Sequence, residues 1–219
     1  LGIIYGVATI VSGKSAFDPV NGAVVGSETI VEQIRRVRDD RSIRAIILRV
    51  DSPGGSSIAS DVIWRELMIT RDQDRSRPLI ASMSDLAASG GYYIAMPAQT
   101  IVAHPATLTG SIGIYTGKFA LGGTMDKIGV GTETVKSGEN ADIYSPFAPF
   151  SPAQRARVQD YMQGFYDNFV EKAAASRKMT PEQIDAVAQG RVWTGRQARG
   201  HGLVDELGGL ETAIRIAKE

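Results

Sequence analysis

The sequence has no cysteine. That excludes disulfides, thiolate metal centres and a cysteine nucleophile, and it leaves the redox compartment open. Histidine is nearly absent, with only His104 and His201. A histidine-built zinc site is therefore not expected, and a serine–histidine mechanism has at most two candidate bases. Charge of one sign is not in excess, because 24 basic residues balance 24 acidic ones. Neither nucleic acid nor an anionic membrane is expected as a direct ligand. No apolar run approaches the ~18–20 residues that a membrane-spanning helix needs. The chain opens on Leu1 rather than methionine and reads as a processed piece of a longer polypeptide.

What is present is ordinary globular composition, 43% apolar and 22% charged over 219 residues, enough for one large domain. IIYGVATIV (3–11) has the pattern of one buried strand, and the polar, glycine-rich SGKSAFDPVNGAVVGS after it reads as a loop. Ser27 opens a helix with Ile30, Ile34 and Val37 on one face. IRAIILRV (43–50) is a strand ending at DSPGGSS, ASDVIWRELMITRD is a helix, and PLIASMS (78–84) and TIVAHP are strands. Residues 151–177 form a long helix with an apolar stripe of Val158, Met162, Phe165, Phe169 and Val170. TPEQIDAVAQG (180–190) has Thr180 as N-cap, Pro181 in the first turn and Gln183 at the capping-box position. A last helix lies near LETAIRIAKE. Strands alternating with helices at this spacing predict an α/β fold with a mostly parallel sheet.

Two stretches carry chemistry. In DSPGG (51–55), Gly54 and Gly55 follow a strand and precede a helix, so their amides can form an oxyanion hole or simply make a tight β–α turn. In DLAASGGYYIAMPA, Ser89 sits among alanines and glycines after the next strand, open either to a nucleophile's role or to a plain turn. Two such loops on neighbouring strands would bring a hydroxyl and free amides together, as acyl transfer requires. His104 and His201 are candidate bases or ordinary surface histidines. VSGKS (11–15) imitates the end of a phosphate-binding loop, but Ala8 stands where that motif has glycine and no helix follows at once.

IRAIILRVDSPGGSSIASDVI, DLAASGGYYIAMPA, TLTGSIGIY and TPEQIDAVAQGRVWTGRQARGHGLVDELGG, in this order and spacing, resemble the signal peptide peptidase A family. These are serine proteases of the ClpP/crotonase-like fold, built of β-β-α and βα crossover units, and the resemblance covers nearly all of residues 1–219 as one protease domain. It implies Ser89 as nucleophile, Gly54 and Gly55 as the oxyanion loop, Ser111 as the serine that positions the base, and a lysine as that base. It also implies extended, apolar peptide substrates such as signal-peptide remnants, no metal or organic cofactor, and a homo-oligomer, tetrameric or a larger ring. By the same resemblance the domain would work on the extracytoplasmic side of a bacterial inner membrane, with its anchor outside this chain. The family's catalytic lysine is the second one of a K-S-G-x-x-K-D run, where this chain reads KSGENAD and places Ala141. Three readings compete. This is the carboxy-terminal half of the long two-domain form, with the lysine supplied by the amino-terminal domain; or Ala141 is an engineered replacement of lysine in a short form; or Lys136 or a histidine substitutes, or the domain binds peptide or assembles without catalysis.

Overall fold

The computed structural model describes residues 1–19 and 22–219. In chain order β1 (Gly2–Val7), β2 (Thr9–Val11), β3 (Ala16–Asp18) and β4 (Gly22–Gly26) lead into α1 (Ser27–Asp39), β5 (Ile46–Ser52) and α2 (Ser57–Gln73). Then follow β6 (Leu79–Ala88), α3 (Gly90–Ala95), β7 (Thr100–Ala103), β8 (Leu108–Gly110), α4 (Gly122–Lys127) and α5 (Pro152–Arg177). The chain ends through α6 (Pro181–Asp185), β9 (Val192–Thr194), α7 (Gly195–Gly200), β10 (Glu206–Leu207) and α8 (Leu210–Ile216). Two compact units result: residues 1–113 with 168–219, and residues 114–167.

The first unit is an α/β fold on a mostly parallel sheet, ordered β1-β5-β6-β7-β10, with β8 parallel to β6 and β9 antiparallel to β8. Its register aligns Ile4, Leu48, Ala81 and Ile101, all buried. On the other face, α8 packs through Ala213, Leu210 and Ile214 on Ile3, Ile47, Ile80 and Val102. Burial on both faces explains why these strands read as continuous apolar runs. Each fully buried Ile or Leu contributes about 1.5–3 kcal/mol of transfer free energy. Between Val50 and Ser52 the ladder advances two residues on β5 but four on β6, from Met83 to Ala87. This bulge lets β6 leave β7, with which it pairs over Ile80–Met83, and take β8 as a partner over Leu86–Ala88. The strand expected at 78–84 therefore runs on to Ala88 and delivers Ser89 at its end.

Other expectations shift for local reasons. The single strand 3–11 is two strands, broken at Ala8, whose φ is 89° and whose carbonyl accepts the Ser52 hydroxyl at 2.6 Å. The expected loop 12–27 contains a small second sheet, β2-β4-β3, with Val20 and Asn21 outside the described residues. Ser27 does open α1, with Gly26 as its N-cap. Thr180 and Gln183 form the expected capping box, but the helix stops at Asp185 rather than running on to just before Gly190. Of the apolar residues of α2, Leu67 is buried, whereas Val62 and Ile69 face solvent.

α1 and α2 are joined by Glu66, whose side chain is 8% exposed and takes Arg35 Nη2 on Oε2 at 2.9 Å and Arg38 Nη1 on Oε1. The Arg35 hydrogen bond, against the opposing effect of burial and with help from Arg38, holds the Glu66 carboxyl below its ordinary 4.5. A depressed carboxylate stabilises the fold above its unfolded value, near ~4.3, and loses that contribution as pH falls through the folded value. Glu66→Gln is therefore expected to cost about 2 kcal/mol at neutral pH. The gap in urea midpoint between the two proteins should narrow as pH drops below about 4. A gap independent of pH would show that the carboxylate's charge contributes nothing.

Candidate active site

Ser89 stands between the end of β6 and the start of α3 with φ 53° and ψ −119°, a backbone conformation rare for serine. Its amide donates to Gly110 O at 2.9 Å, and its carbonyl accepts from Tyr93 N at 2.9 Å. It is half-buried, and among the described residues its hydroxyl has no hydrogen-bond partner. Strain of this kind costs about 1–3 kcal/mol and persists only where surrounding contacts hold it.

Those contacts are α3 and its anchors. All six residues of α3 are buried. Tyr92 OH donates to Leu203 O at 3.0 Å, and Tyr93 OH donates to Asp61 Oδ1 at 2.6 Å. Burial foremost, with the Asp61 hydrogen bond second for Tyr93, pushes both phenols well above their ordinary value, so they act as neutral donors. Lys172 completes the support from α5: its ammonium reaches Asp61, donates to Tyr93 OH at 3.0 Å and lies 3.9 Å from the centre of the Trp64 ring. Arg177, paired with Asp205 at 2.5 and 3.0 Å, and Asp205, which also accepts Ile101 N at 2.7 Å, hold the chain next to Leu203.

The glycine loop meets the serine directly. Gly54 (φ 96°) approaches so closely that a Cβ there would stand 2.5 Å from Gly90 N and 2.9 Å from Ser89 Cβ. Gly90 is held to its own size by Ser60 Oγ, 2.5 Å from where its Cβ would be. Gly55 (φ 146°) is bridged to Ile10, with Ile10 N donating to Gly54 O and Ser56 N donating to Ile10 O, both at 2.8 Å. The two expected oxyanion amides are not equivalent. Gly54 N donates to Ser52 Oγ at 3.1 Å, while Gly55 N has no acceptor among the described residues. Gly90 N, the first amide of α3, likewise has no intrahelical acceptor. Two free amides thus lie beside Ser89, one from the glycine loop and one from the residue after the serine. Sequence reasoning did not single out Gly90 N, Ser52 or Ser60; the only signal was serines next to glycines at strand ends.

Ser111 comes to the same place by strand pairing. Ala88 and Gly110 are register partners at the carboxyl ends of parallel β6 and β8, so Ser89 and Ser111 leave adjacent strands side by side. Ser111 also has positive φ, 50°, and its amide donates to Arg191 O at 2.8 Å. His104 Nδ1 accepts the Ala106 amide at 3.3 Å, and the His201 ring packs 4.2 Å from Trp193. In the 114–167 unit, Ala141 lies exposed in a turn and Lys136 donates to Asp142 Oδ1 at 2.9 Å and Glu139 O at 3.1 Å. That lysine holds the Asp142 carboxyl below the usual range. The described residues contain no cluster able to hold a metal ion.

A serine on a strained strand-to-helix turn, flanked by free backbone amides at the carboxyl end of a parallel sheet, is an arrangement of the kind that acyl transfer requires. The sequence profile described as peptidase family S49 matches residues 71–219, and the chain belongs to that family. It is 45% identical over 199 residues to the chloroplastic serine protease SPPA of Arabidopsis thaliana, covering 90% of this chain and 29% of that protein. It is 42% identical over 219 residues to Protease 4 of Salmonella typhi, all of this chain and 34% of that protein. A Synechocystis protein described as a protease is 34% identical over 216 residues, 98% of this chain and 77% of its own length. The chain spans about a third of the length of the first two relatives.

Proposed function

We propose that this chain is the serine-bearing domain of a Ser–Lys protease acting on extended apolar peptides, among them cleaved signal peptides. The observation that carries the reading is Ser89, strained and half-buried, with the Gly54–Gly55 loop packed against it. Ser89 Oγ attacks the scissile carbonyl carbon while its proton passes to a neutral lysine amine. The carbonyl oxygen, now an oxyanion, takes hydrogen bonds from Gly55 N and Gly90 N, and the Ser52 hydroxyl fixes Gly54 so that Gly55 faces the site. The C–N bond then breaks, the lysine returns the proton to the leaving amine, and water, deprotonated by the same lysine, hydrolyses the acyl-serine. Ser111, beside Ser89, orients the lysine.

The lysine comes from another domain, because Ala141 has no titratable group and Lys136 is engaged by Asp142 and Glu139. Assembly with an amino-terminal lysine-bearing domain and with further copies is supported by the 114–167 unit, where Tyr115 and Val135 are 94% exposed and Phe119 85%. A membrane-associated, extracytoplasmic location belongs to this reading; no helix among the described residues is long and apolar enough to cross a membrane. A peptide-binding domain without catalysis is the second reading, favoured by Ser89 Oγ having no hydrogen-bonded base among the described residues.

The deciding experiment is hydrolysis of a fluorogenic apolar peptide by the chain alone, with a lysine-bearing relative domain added or fused, and as Ala141→Lys. Turnover only with the added domain is the expected result. Activity gained by Ala141→Lys alone would place the lysine within this chain and replace the two-domain reading. No turnover in any arm, with peptide still bound, would establish the non-catalytic reading.

A further inference from the structure

Eight of the 17 arginines fall in two short segments, residues 35–44 and 71–77, together with only four aspartates. The neutral total of the chain conceals this concentration. Each segment takes in the last turn or so of a helix and the turn by which it returns to the sheet, α1 to β5 and α2 to β6, and both contain Asp-Arg-Ser. Their local structures match. Asp40 Oδ1 accepts Ser42 N at 2.8 Å and Ser42 Oγ at 2.7 Å; Asp74 Oδ1 accepts Ser76 N at 3.1 Å and Ser76 Oγ at 2.6 Å. The aspartates thus brace the turns, and their carboxylates are committed.

Between the two turns lies a cavity of about 550 Å³ lined by Arg38, Arg41, Arg44 and Arg77, with Asp39, Asp74, Ser76 and Gln73 among its polar groups. Arg38 is spent on Glu66, and its Nε lies 3.6 Å from Asp39. Arg77 donates to Val37 O and Arg38 O and lies 3.8 Å from Asp74, so it covers the carbonyl end of α1 that would otherwise repel an anion. Arg41 and Arg44 make no hydrogen bond or ion pair among the described residues, although Arg44 is near enough to Asp74 to help hold that carboxyl below the usual range, behind the stronger effect of Ser76. With Arg38 paired to Glu66, three guanidinium groups, Arg41, Arg44 and Arg77, face the carboxylates of Asp39 and Asp74, so the lining keeps a net positive charge. Guanidinium rather than ammonium suits paired hydrogen bonds to a tetrahedral oxyanion. The site lies at the amino ends of β5 and β6. Ser89 follows the far end of β6, roughly 30 Å along a ten-residue strand.

We propose that this cavity binds a phosphate group, held by Arg41 and Arg44 with Arg77 behind them, as a second site remote from the serine. A free phosphate compound and a phospholipid headgroup present the same chemistry. The proposal does not depend on the protease reading, since its test requires no turnover.

The test is binding of inorganic phosphate by calorimetry at constant ionic strength, beside sedimentation with phosphatidylcholine vesicles with and without phosphatidic acid. The unaltered chain is compared with Arg41→Gln, Arg44→Gln and, as control, Arg65→Gln, an exposed arginine of α2 outside the cavity. Saturable binding that weakens about tenfold or more in each cavity variant, and not in the control, is expected. Vesicle binding released by phosphate would identify a headgroup as the source; phosphate binding without vesicle binding would identify a soluble one. No saturable binding in either arm overturns the proposal. Binding that both cavity variants retain, or that Arg65→Gln weakens equally, overturns it as well, since that is diffuse attraction.

Discussion

Ser89→Ala is expected to lower kcat by about 10⁴-fold or more in the lysine-supplied enzyme, leaving KM for an apolar peptide within a few fold. The asymmetry follows from where the hydroxyl acts. It contributes the bond that forms in the transition state, whereas substrate is held by the surrounding surface and backbone. Alanine fits without strain beyond what Ser89 already bears at φ 53°, because among the described residues the hydroxyl has no partner whose loss would disturb the fold. Stability should therefore change little, and thermal unfolding measured beside the kinetics separates lost chemistry from lost structure. Turnover surviving the substitution would dismiss Ser89 as nucleophile.

Gly55→Val is expected to be the most damaging single change in the glycine loop. A Cβ at Gly55 would stand 2.1 Å from Ile10 O, a backbone atom, at a φ of 146° that side-chain-bearing residues rarely adopt. Relief requires the loop to retreat from β2, and that breaks the Ile10 N to Gly54 O and Ser56 N to Ile10 O hydrogen bonds. Two lost backbone bonds and the strain together amount to about 4 kcal/mol. For a chain of this size that is roughly a 10 °C fall in Tm. If the protein still folds, the displaced Gly55 amide should cost about 10²-fold in kcat as well. A Tm within a degree or two of the parent would contradict the close approach.

Much of this arrangement is legible in the residues. The runs IIL and TIVA read as strands because apolar residues are buried on both sheet faces, whereas IIYGV alternates buried Ile4 and Gly6 with exposed Tyr5 and Val7, and DSPGG and ASGGYY follow strands at the carboxyl ends. The small sheet β2-β4-β3 was not legible, since its strands are three to five residues long and begin only after the positive-φ break at Ala8. The extension of β6 was hidden by Asp85, which is exposed at the bulge and looks like a loop residue. Ser52 and Ser60 escaped notice because a buried hydroxyl that braces a backbone has no periodic signature. The arginine cavity was invisible for another reason: two charged helix ends each read as solvated until the sheet places their turns side by side.

The bare hydroxyl of Ser89 also bears on the safety of the cell that makes this chain. On the reading in which the lysine arrives with another domain, the folded chain is a dormant half. Its serine cuts nothing until a lysine-bearing domain has folded and docked beside it, and destructive power appears only where both halves meet.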